Sequence, residues 1–150
     1  MLKSLQGKTV IVTGASRGIG KGIALRFGEA GLKVLVVSRS QVDADRVASE
    51  IGANGSGFAA DVSTEEGCRA MVDAAITRYG GVAILCANAG IFPAAKLGEM
   101  TANDFDQVIS TNLKSTFLSV SAVLPAMTKA GSGRIIITSS ITGPITGYPG

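Results

Sequence analysis

Short runs of β-branched and aliphatic residues alternate with longer stretches of helical periodicity along this sequence. Residues 9–12 form such a run, and after a glycine-rich segment Ile19, Ile23 and Phe27 recur every fourth residue. Strands that alternate with helices pair in parallel through right-handed crossovers. The pattern therefore predicts an α/β fold, a doubly wound parallel sheet with helices on both faces.

The other predicted elements continue this alternation. The predicted strands are residues 34–37, 56–60, 82–86 and 134–138, and the predicted helices are residues 42–51, a segment opened by a capping box of Ser63 and Glu66, and about 102–129 with a break near Asn112. We expect one domain, residues 1–150. A sheet of this type normally continues to roughly 200–250 residues, so we expect it to be truncated after the fifth strand.

Composition excludes several classes of function. The net charge is only +3, no basic run or stripe is present, and no Trp occurs, which argues against nucleic-acid binding. No apolar run is long enough for a membrane span. The sequence has no histidine, and Cys68 and Cys86 lack metal-ligand spacing, so we expect no metal site. Two buried thiols favour a reducing, cytoplasmic location.

The turn at residues 13–20, Thr-Gly-Ala-Ser-Arg-Gly-Ile-Gly, lies between the first predicted strand and helix. Glycines let the backbone approach a diphosphate, whose charge then faces free N–H groups at the helix N-terminus. The spacing differs from the commoner G-x-G-x-x-G, and Gly22 stands where a Walker A loop needs Ser or Thr. The alternative is an ordinary tight turn. The predicted phosphate-binding residues here are Gly14, Ser16, Arg17, Gly18, Ile19 and Gly20.

The residues after the second predicted strand bear on the choice of cofactor. An acidic residue there would bind the ribose hydroxyls of NAD, but this sequence has Ser38 and Arg39 instead. Ser38 can donate a hydrogen bond, and Arg39, with Arg17 from the turn, can pair with a 2′-phosphate. The sequence therefore favours NADP(H) over NAD(H), unless both arginines are solvated surface residues.

Residues 13–20 resemble the TGxxxGxG signature of the short-chain dehydrogenase/reductase family, whose fold is of the Rossmann type, and the resemblance covers essentially the whole chain. Residues 13–20 and 138–143 together are most similar to the 3-oxoacyl-acyl-carrier-protein reductase branch. The resemblance implies that Asp61 accepts a hydrogen bond from adenine and that Val62 helps hold the ring. Alternatively, Asp61 is only a charge near the following helix.

Asn88, Ala89 and Gly90 resemble the NNAG segment of that family, with Ala87 in place of the first Asn. The resemblance implies that this segment passes beside the cofactor. The alternative is a turn that stabilises the central sheet, and both roles are compatible.

For catalysis, the resemblance implies that Ser140 hydrogen-bonds the substrate carbonyl and that Asn112 holds a water of the proton relay. Alternatively, Ser140 only stabilises a turn and Asn112 is only a polar residue on a helix surface. The family's proton donor is the tyrosine of a Tyr-x-x-x-Lys pair, which these 150 residues lack. Tyr148 is interpreted as a substrate-loop residue. We expect the pair beyond Gly150 and little activity from this chain alone.

The predicted function of the complete protein is NADP(H)-dependent reduction of a carbonyl to a secondary alcohol. The leading substrate is a 3-oxoacyl thioester on acyl carrier protein, with other ketones, sterols or sugars as alternatives. A non-catalytic nucleotide-binding module is the rival function. The apolar residues between positions 105 and 127 are too many to form a single narrow stripe along a helix. The resemblance implies that this region packs against another subunit in a homo-oligomer, usually a tetramer.

Overall fold

The computed structural model describes residues 3–93 and 97–140. The strands are β1 (Thr9–Thr13), β2 (Lys33–Ser38), β3 (Gly55–Ala59), β4 (Ile84–Ala87) and β5 (Arg134–Ile137). The helices are α1 (Gly18–Glu29), α2 (Gln41–Ile51), α3 (Glu65–Tyr79), α4 (Ala102–Val108) and α5 (Ser115–Lys129). A π-helical segment, Ile109–Lys114, joins α4 to α5, and short 3₁₀ turns occur at Lys3–Leu5, Gly52–Asn54 and Leu97–Glu99.

The strands form one parallel sheet in the order β3-β2-β1-β4-β5. The central strand β1 pairs with β2 on one side and β4 on the other, so that Val12 lies opposite both Val36 and Cys86. The chain therefore winds outward in one direction from β1 to β3 and in the other from β4 to β5. The point of reversal lies between the carboxyl ends of β1 and β4, where open α/β sheets bind ligands.

Successive strand residues point to opposite faces of the sheet and build two apolar cores. On one face Ile11, Leu35 and Leu85 belong to a core with residues of α3 and α5. On the other face Val10 and Val34 belong to a core with residues of α1 and α2. Helices thus cover both faces, which confirms the predicted doubly wound architecture.

Two sequence predictions about local structure were wrong in detail. The predicted capping box of Ser63 and Glu66 does not form, because the Ser63 hydroxyl donates to Asp61 and Thr64 caps α3 instead. The predicted break near Asn112 is a π-helical segment that continues the helix. Pro125 lies inside α5, which runs on to Lys129.

Within the described residues, no helix is long and apolar enough to cross a membrane. The same residues contain no group of three or more His, Cys, Asp or Glu side chains that could hold a metal ion. Both cysteines are buried and unpaired with each other, as the sequence predicts.

Candidate functional site

A cavity of about 870 Å³ lies at the carboxyl edge of the sheet, over the point where the winding reverses. Its walls come from the loops after β1 to β4, from α4 and the π-helical segment, and from Thr138 after β5. All thirteen residues predicted to bind the cofactor line this one cavity: Gly14, Ser16, Arg17, Gly18, Ile19, Gly20, Ser38, Arg39, Asp61, Val62, Asn88, Ala89 and Gly90. The fold therefore brings together segments that are up to 76 residues apart, from Gly14 to Gly90.

The glycines of the turn are required by close approaches of the backbone. Gly14 has φ +64°, and a Cβ there would lie 2.7 Å from the Ala89 Cα. A Cβ at Gly20 would collide with the Gly14 carbonyl oxygen and the Asn88 side-chain amide. The turn, the start of α1 and the loop after β4 can pack together only because these positions carry no side chain.

The N-terminus of α1 differs from those of α2, α3 and α4. The other three are capped by the side chains of Ser40, Thr64 and Thr101, with acidic residues in their first turns. At α1 the N-cap residue Arg17 makes no side-chain cap, and the first turn contains no acidic residue. The N–H groups and the positive end of the helix dipole therefore face the cavity without a negative partner from the first turn, the arrangement that an anion needs.

Asn88 joins three strands at the cavity floor. Its side-chain amide donates to the carbonyl oxygens of Thr13 (3.2 Å) and Gly14 (3.4 Å), and its Oδ1 accepts from Thr138 (3.0 Å). The Thr13 hydroxyl accepts from the backbone N–H groups of Asn88 (3.0 Å) and Ala89 (3.1 Å). The structure thus supports a stabilising role for Asn88 at the switch point and also places it in the cavity wall.

Two arginines line the cavity, Arg17 in the turn after β1 and Arg39 directly after β2. Arg17 and Arg39 are both exposed cavity residues. Ser38 is buried, and its hydroxyl donates to the Ser40 carbonyl (2.7 Å) and accepts from the Ser40 N–H (3.1 Å). Because the hydroxyl hydrogen of Ser38 is used within this turn, the arginines are the groups that offer donors to an additional phosphate.

Asp61 is held in a fixed orientation at the end of β3. Its Oδ1 accepts from the Ser63 hydroxyl (2.7 Å) and the Ser63 N–H (2.9 Å). These hydrogen bonds, aided by the charge of Arg39, lower the pKa of the Asp61 carboxyl below its ordinary value. Asp61 therefore stays an ionised acceptor at neutral pH, and its second oxygen is free of these two bonds.

Asn112 ties the π-helical segment to the loop after β4. Its Oδ1 accepts from the Ile91 N–H, and its side-chain amide donates to the Ile91 carbonyl, both at 2.8 Å. The side chain is thus engaged with backbone and is not a free surface group. Whether a water of a proton relay binds nearby stays a prediction.

Neither catalytic candidate, Asn112 or Ser140, is among the residues that line the cavity. Ser140 is exposed and follows β5 by three residues, whereas the β5 segment contributes Thr138 to the cavity wall. Tyr148 and residues 141–143 lie outside the described residues.

The structure adds residues that the sequence did not single out. Thr13 and Thr138 complete the Asn88 network, and Arg46 on α2 donates to the Ser16 carbonyl (3.2 Å). Thr13 lies within the glycine-rich turn, but its side chain is uncharged. Thr138 and Arg46 make contacts across 50 and 30 residues, which no local sequence pattern reveals. Polar residues of α4 and the π-helical segment also line the cavity: Asn103, Asp106, Gln107, Ser110 and Thr111.

Comparison with known sequences identifies relatives over nearly the whole chain. A sequence model of the short chain dehydrogenase family matches residues 8–150. An uncharacterised oxidoreductase of Listeria monocytogenes is 38% identical over 98% of this chain. A 3-oxoacyl-[acyl-carrier-protein] reductase of Vibrio cholerae is 41% identical over 93% of it. This chain spans 60% and 57% of the lengths of these two relatives.

A solved structure has the same fold. The 3-ketoacyl-(acyl-carrier-protein) reductase of Brucella melitensis, crystallised in complex with NADH, superposes with a TM-score of 0.89 at 33% identity. The match covers 95% of this chain and 61% of the Brucella protein.

Proposed function

Because this chain belongs to the short chain dehydrogenase family, we propose that the complete protein is an NADP(H)-dependent oxidoreductase that reduces a carbonyl to a secondary alcohol. The observation that carries this proposal is the cavity at the switch point, where the glycine turn and the uncapped N-terminus of α1 meet the loops after β2, β3 and β4. A nicotinamide dinucleotide, extended and carrying a central diphosphate, fits such a site.

The turn between β1 and α1 would hold the diphosphate. The absence of side chains at Gly14 and Gly20 lets the turn pack against the loop after β4, and the N-terminus of α1 has no side-chain cap. The Asp61 carboxylate would accept from the adenine amino group, with Val62 beside the ring. Asn88, Ala89 and Gly90 would pass along the middle of the cofactor.

The choice of NADP(H) rests on charge at the adenosine end of the cavity. Arg39, directly after β2, and Arg17, in the turn after β1, both line the cavity, and the position after β2 carries no carboxylate that would repel a 2′-phosphate. A charged hydrogen bond to the 2′-phosphate contributes about 1.5–3 kcal/mol, which corresponds to a preference of roughly 10- to 100-fold for NADP(H) over NAD(H). The Brucella relative was solved with NADH, and a comparison of the affinities of the complete protein for NADPH and NADH tests this preference.

The bound cofactor would supply the hydride, and the protein would supply position and a proton. Ser140 would hydrogen-bond the carbonyl oxygen, and Asn112 would hold the helix and the loop after β4 in place and carry a water of the proton relay. The proton donor would be the tyrosine of a Tyr-x-x-x-Lys pair. These 150 residues contain no such pair, so for this chain taken alone the second candidate is nucleotide binding without turnover.

The proposed substrate is a 3-oxoacyl thioester on acyl carrier protein, because two of the relatives named above are reductases of that substrate class by name. Other ketones, sterols or sugars are the alternatives. We further propose a cytoplasmic homo-oligomer, with neither nucleic acid nor a membrane as a partner.

The test uses the full-length protein and follows the absorbance of NADPH or NADH with a 3-oxoacyl thioester as substrate. We expect NADPH oxidation in the wild type and a loss of roughly 10²- to 10⁴-fold in kcat for Ser140→Ala, with NADPH binding unchanged by calorimetry. Binding without oxidation across a panel of carbonyl substrates would support the non-catalytic module. No binding of either cofactor would contradict both candidates.

A further inference from the structure

We propose that Arg46 is a positioning residue for NADP(H), which fixes the orientation of the peptide between Ser16 and Arg17 in the cavity wall that would hold the additional phosphate of the cofactor. This inference rests on the proposed function and deepens it, since it assigns part of the cofactor preference to a side chain outside the cavity wall. Arg46 lies on α2, in the second βα unit of the chain, whereas the turn that it contacts belongs to the first.

The contact is a single hydrogen bond between distant parts of the sequence. The Arg46 guanidinium Nη2 donates to the Ser16 carbonyl oxygen at 3.2 Å, across 30 residues. One residue earlier, the Ala15 N–H donates to the Val37 carbonyl on β2 at 3.1 Å. The segment that leads into Arg17 is therefore held at two successive residues, once by strand backbone and once by Arg46.

This geometry has a direct consequence for anion binding. The C=O and N–H of one trans peptide point in opposite directions. Holding the Ser16 carbonyl against the Arg46 guanidinium therefore fixes the direction of the Arg17 N–H. It also places a cation on a carbonyl oxygen whose partial negative charge would otherwise repel a nearby phosphate. Ser16 and Arg17 line the cavity, so this orientation affects the ligand.

The guanidinium of Arg46 is itself held in place by acidic neighbours. Asp43 Oδ1 lies 3.2 Å from its Nη2, and Glu50 Oε1 lies 3.9 Å from its Nη1. Glu50 also pairs with Lys21 of α1 at 2.8 Å. The positive charges of Arg46 and Lys21 are thus balanced by two carboxylates. We therefore expect Arg46 to act through the orientation of the turn rather than through long-range attraction of the phosphate.

Calorimetric titration of the full-length protein tests this role without any turnover. The ligands are adenosine 2′,5′-bisphosphate and adenosine 5′-monophosphate, which differ only in the 2′-phosphate. In Arg46→Gln we expect the preference for the bisphosphate to fall roughly fivefold, the effect of about one net hydrogen bond. Arg46→Lys should restore most of the preference, because its ammonium can still donate to the Ser16 carbonyl.

The matched control is Arg26→Gln, which removes the same charge from an exposed arginine of α1 paired with Glu29. It should leave the preference unchanged. An Arg46→Gln variant that keeps the wild-type preference, or loses affinity for both ligands equally, overturns the inference alone. A wild type that binds both ligands alike overturns the NADP(H) proposal, and the inference falls with it.

Discussion

Single side chains at the switch point connect parts of the sheet that are far apart in sequence. Asn88 bonds to Thr13, Gly14 and Thr138, and within the described residues no buried side-chain nitrogen or oxygen lacks a hydrogen-bond partner. A buried polar group without a partner costs about 1–3 kcal/mol, so these bonds are needed wherever polar side chains enter the cavity floor. The local motif predicts an asparagine turn here, but the Thr138 contact is 50 residues away and only the fold reveals it.

The glycines of α1 provide a matched pair for the phosphate turn. In Gly20→Ala the new Cβ collides with the Gly14 carbonyl and the Asn88 amide, so we expect a loss of about 1–3 kcal/mol in unfolding free energy and weakened NADPH binding. Gly22 meets nothing within 4 Å, so Gly22→Ala should stabilise the helix by about 0.5–1 kcal/mol and leave binding unchanged. Thermal melts and calorimetry measure both effects. Equal behaviour of the two variants would contradict this account of the turn.

The buried thiol of Cys86 should make the stability of the protein depend on pH in the alkaline range. Burial in β4 raises the pKa of its thiol to about 11, above the ordinary value of 9.0. Between these values the unfolded thiol ionises while the native thiol keeps its proton, so the unfolding free energy decreases as pH rises from 9 to 11, by at most about 3 kcal/mol.

Comparison with Cys86→Val isolates this contribution, because lysines and tyrosines titrate in the same range in both proteins. Denaturant unfolding at pH 8, 9, 10 and 11 should give a steeper decline for the wild type. At pH 8, a thiol reagent should leave Cys86 unmodified in the folded protein and should modify it once the protein is unfolded. Parallel declines in the two proteins would show that Cys86 does not contribute.

At the scale of elements, β3 is an edge strand, and side chains bond to two of its outward backbone groups. The Ala60 N–H bonds to Ser38 on the strand side, so the groups of Gly57 and Ala59 face outward. The Arg78 guanidinium donates to the Gly57 carbonyl and the Gln41 side-chain oxygen accepts from the Ala59 N–H, both at 2.9 Å. Arg78 also lies over the Phe58 ring. An edge occupied in this way is a poor template for pairing with another chain.

Removing these two side chains should expose the edge. For the double variant Gln41→Ala, Arg78→Ala we expect a stability loss of about 1–2 kcal/mol and faster aggregation on mild heating. Light scattering at a fixed temperature below the melting transition measures the aggregation rate. The control Arg69→Ala removes an exposed arginine from the same helix and should aggregate at the wild-type rate. A double variant that stays as soluble as this control would refute the covering role.

The types of most elements could be predicted from the sequence, whereas their ends could not. Ser63 and Thr64 are both good caps, and the choice of Thr64 depends on Asp61 using the Ser63 hydroxyl. The π-helical segment depends on Asn112 reaching across to Ile91, while the Thr116 hydroxyl bonds to the Asn112 carbonyl. Tertiary contacts decide which of two similar local hydrogen bonds forms. The hydrophobic periodicity of the sequence carries no information about those contacts.

At the scale of the whole molecule, alternation alone predicted the parallel sheet, because right-handed crossovers leave few arrangements of five strands joined by helices. The same rule places the ends of β1 to β4 at one edge, so the cavity and its predicted lining residues follow from the order of the motifs. The position of Ser140 relative to the cavity does not follow, since it depends on a loop beyond the last described strand. The apolar residues of 105–127 are divided between the core and the surface, because Leu118 and Val123 are buried while Leu113 and Phe117 are exposed.

This exposed apolar surface, defined by Phe105, Leu113, Phe117 and Leu124, provides the test of the proposed homo-oligomer. Leu113 and Phe117 are each about two-thirds exposed, at 65% and 66%, and a surface of this kind is typical of an interface. Light scattering coupled to size exclusion should show an oligomer of the full-length wild type and a smaller species for Phe117→Glu, because an unpaired carboxylate buried in an apolar interface is costly. Val42→Glu is the control, since Val42 is 78% exposed on α2, a helix packed on the opposite face of the sheet. An unchanged mass for Phe117→Glu would contradict assembly through this surface, and a mass equally reduced in both variants would show that any added carboxylate destabilises the oligomer.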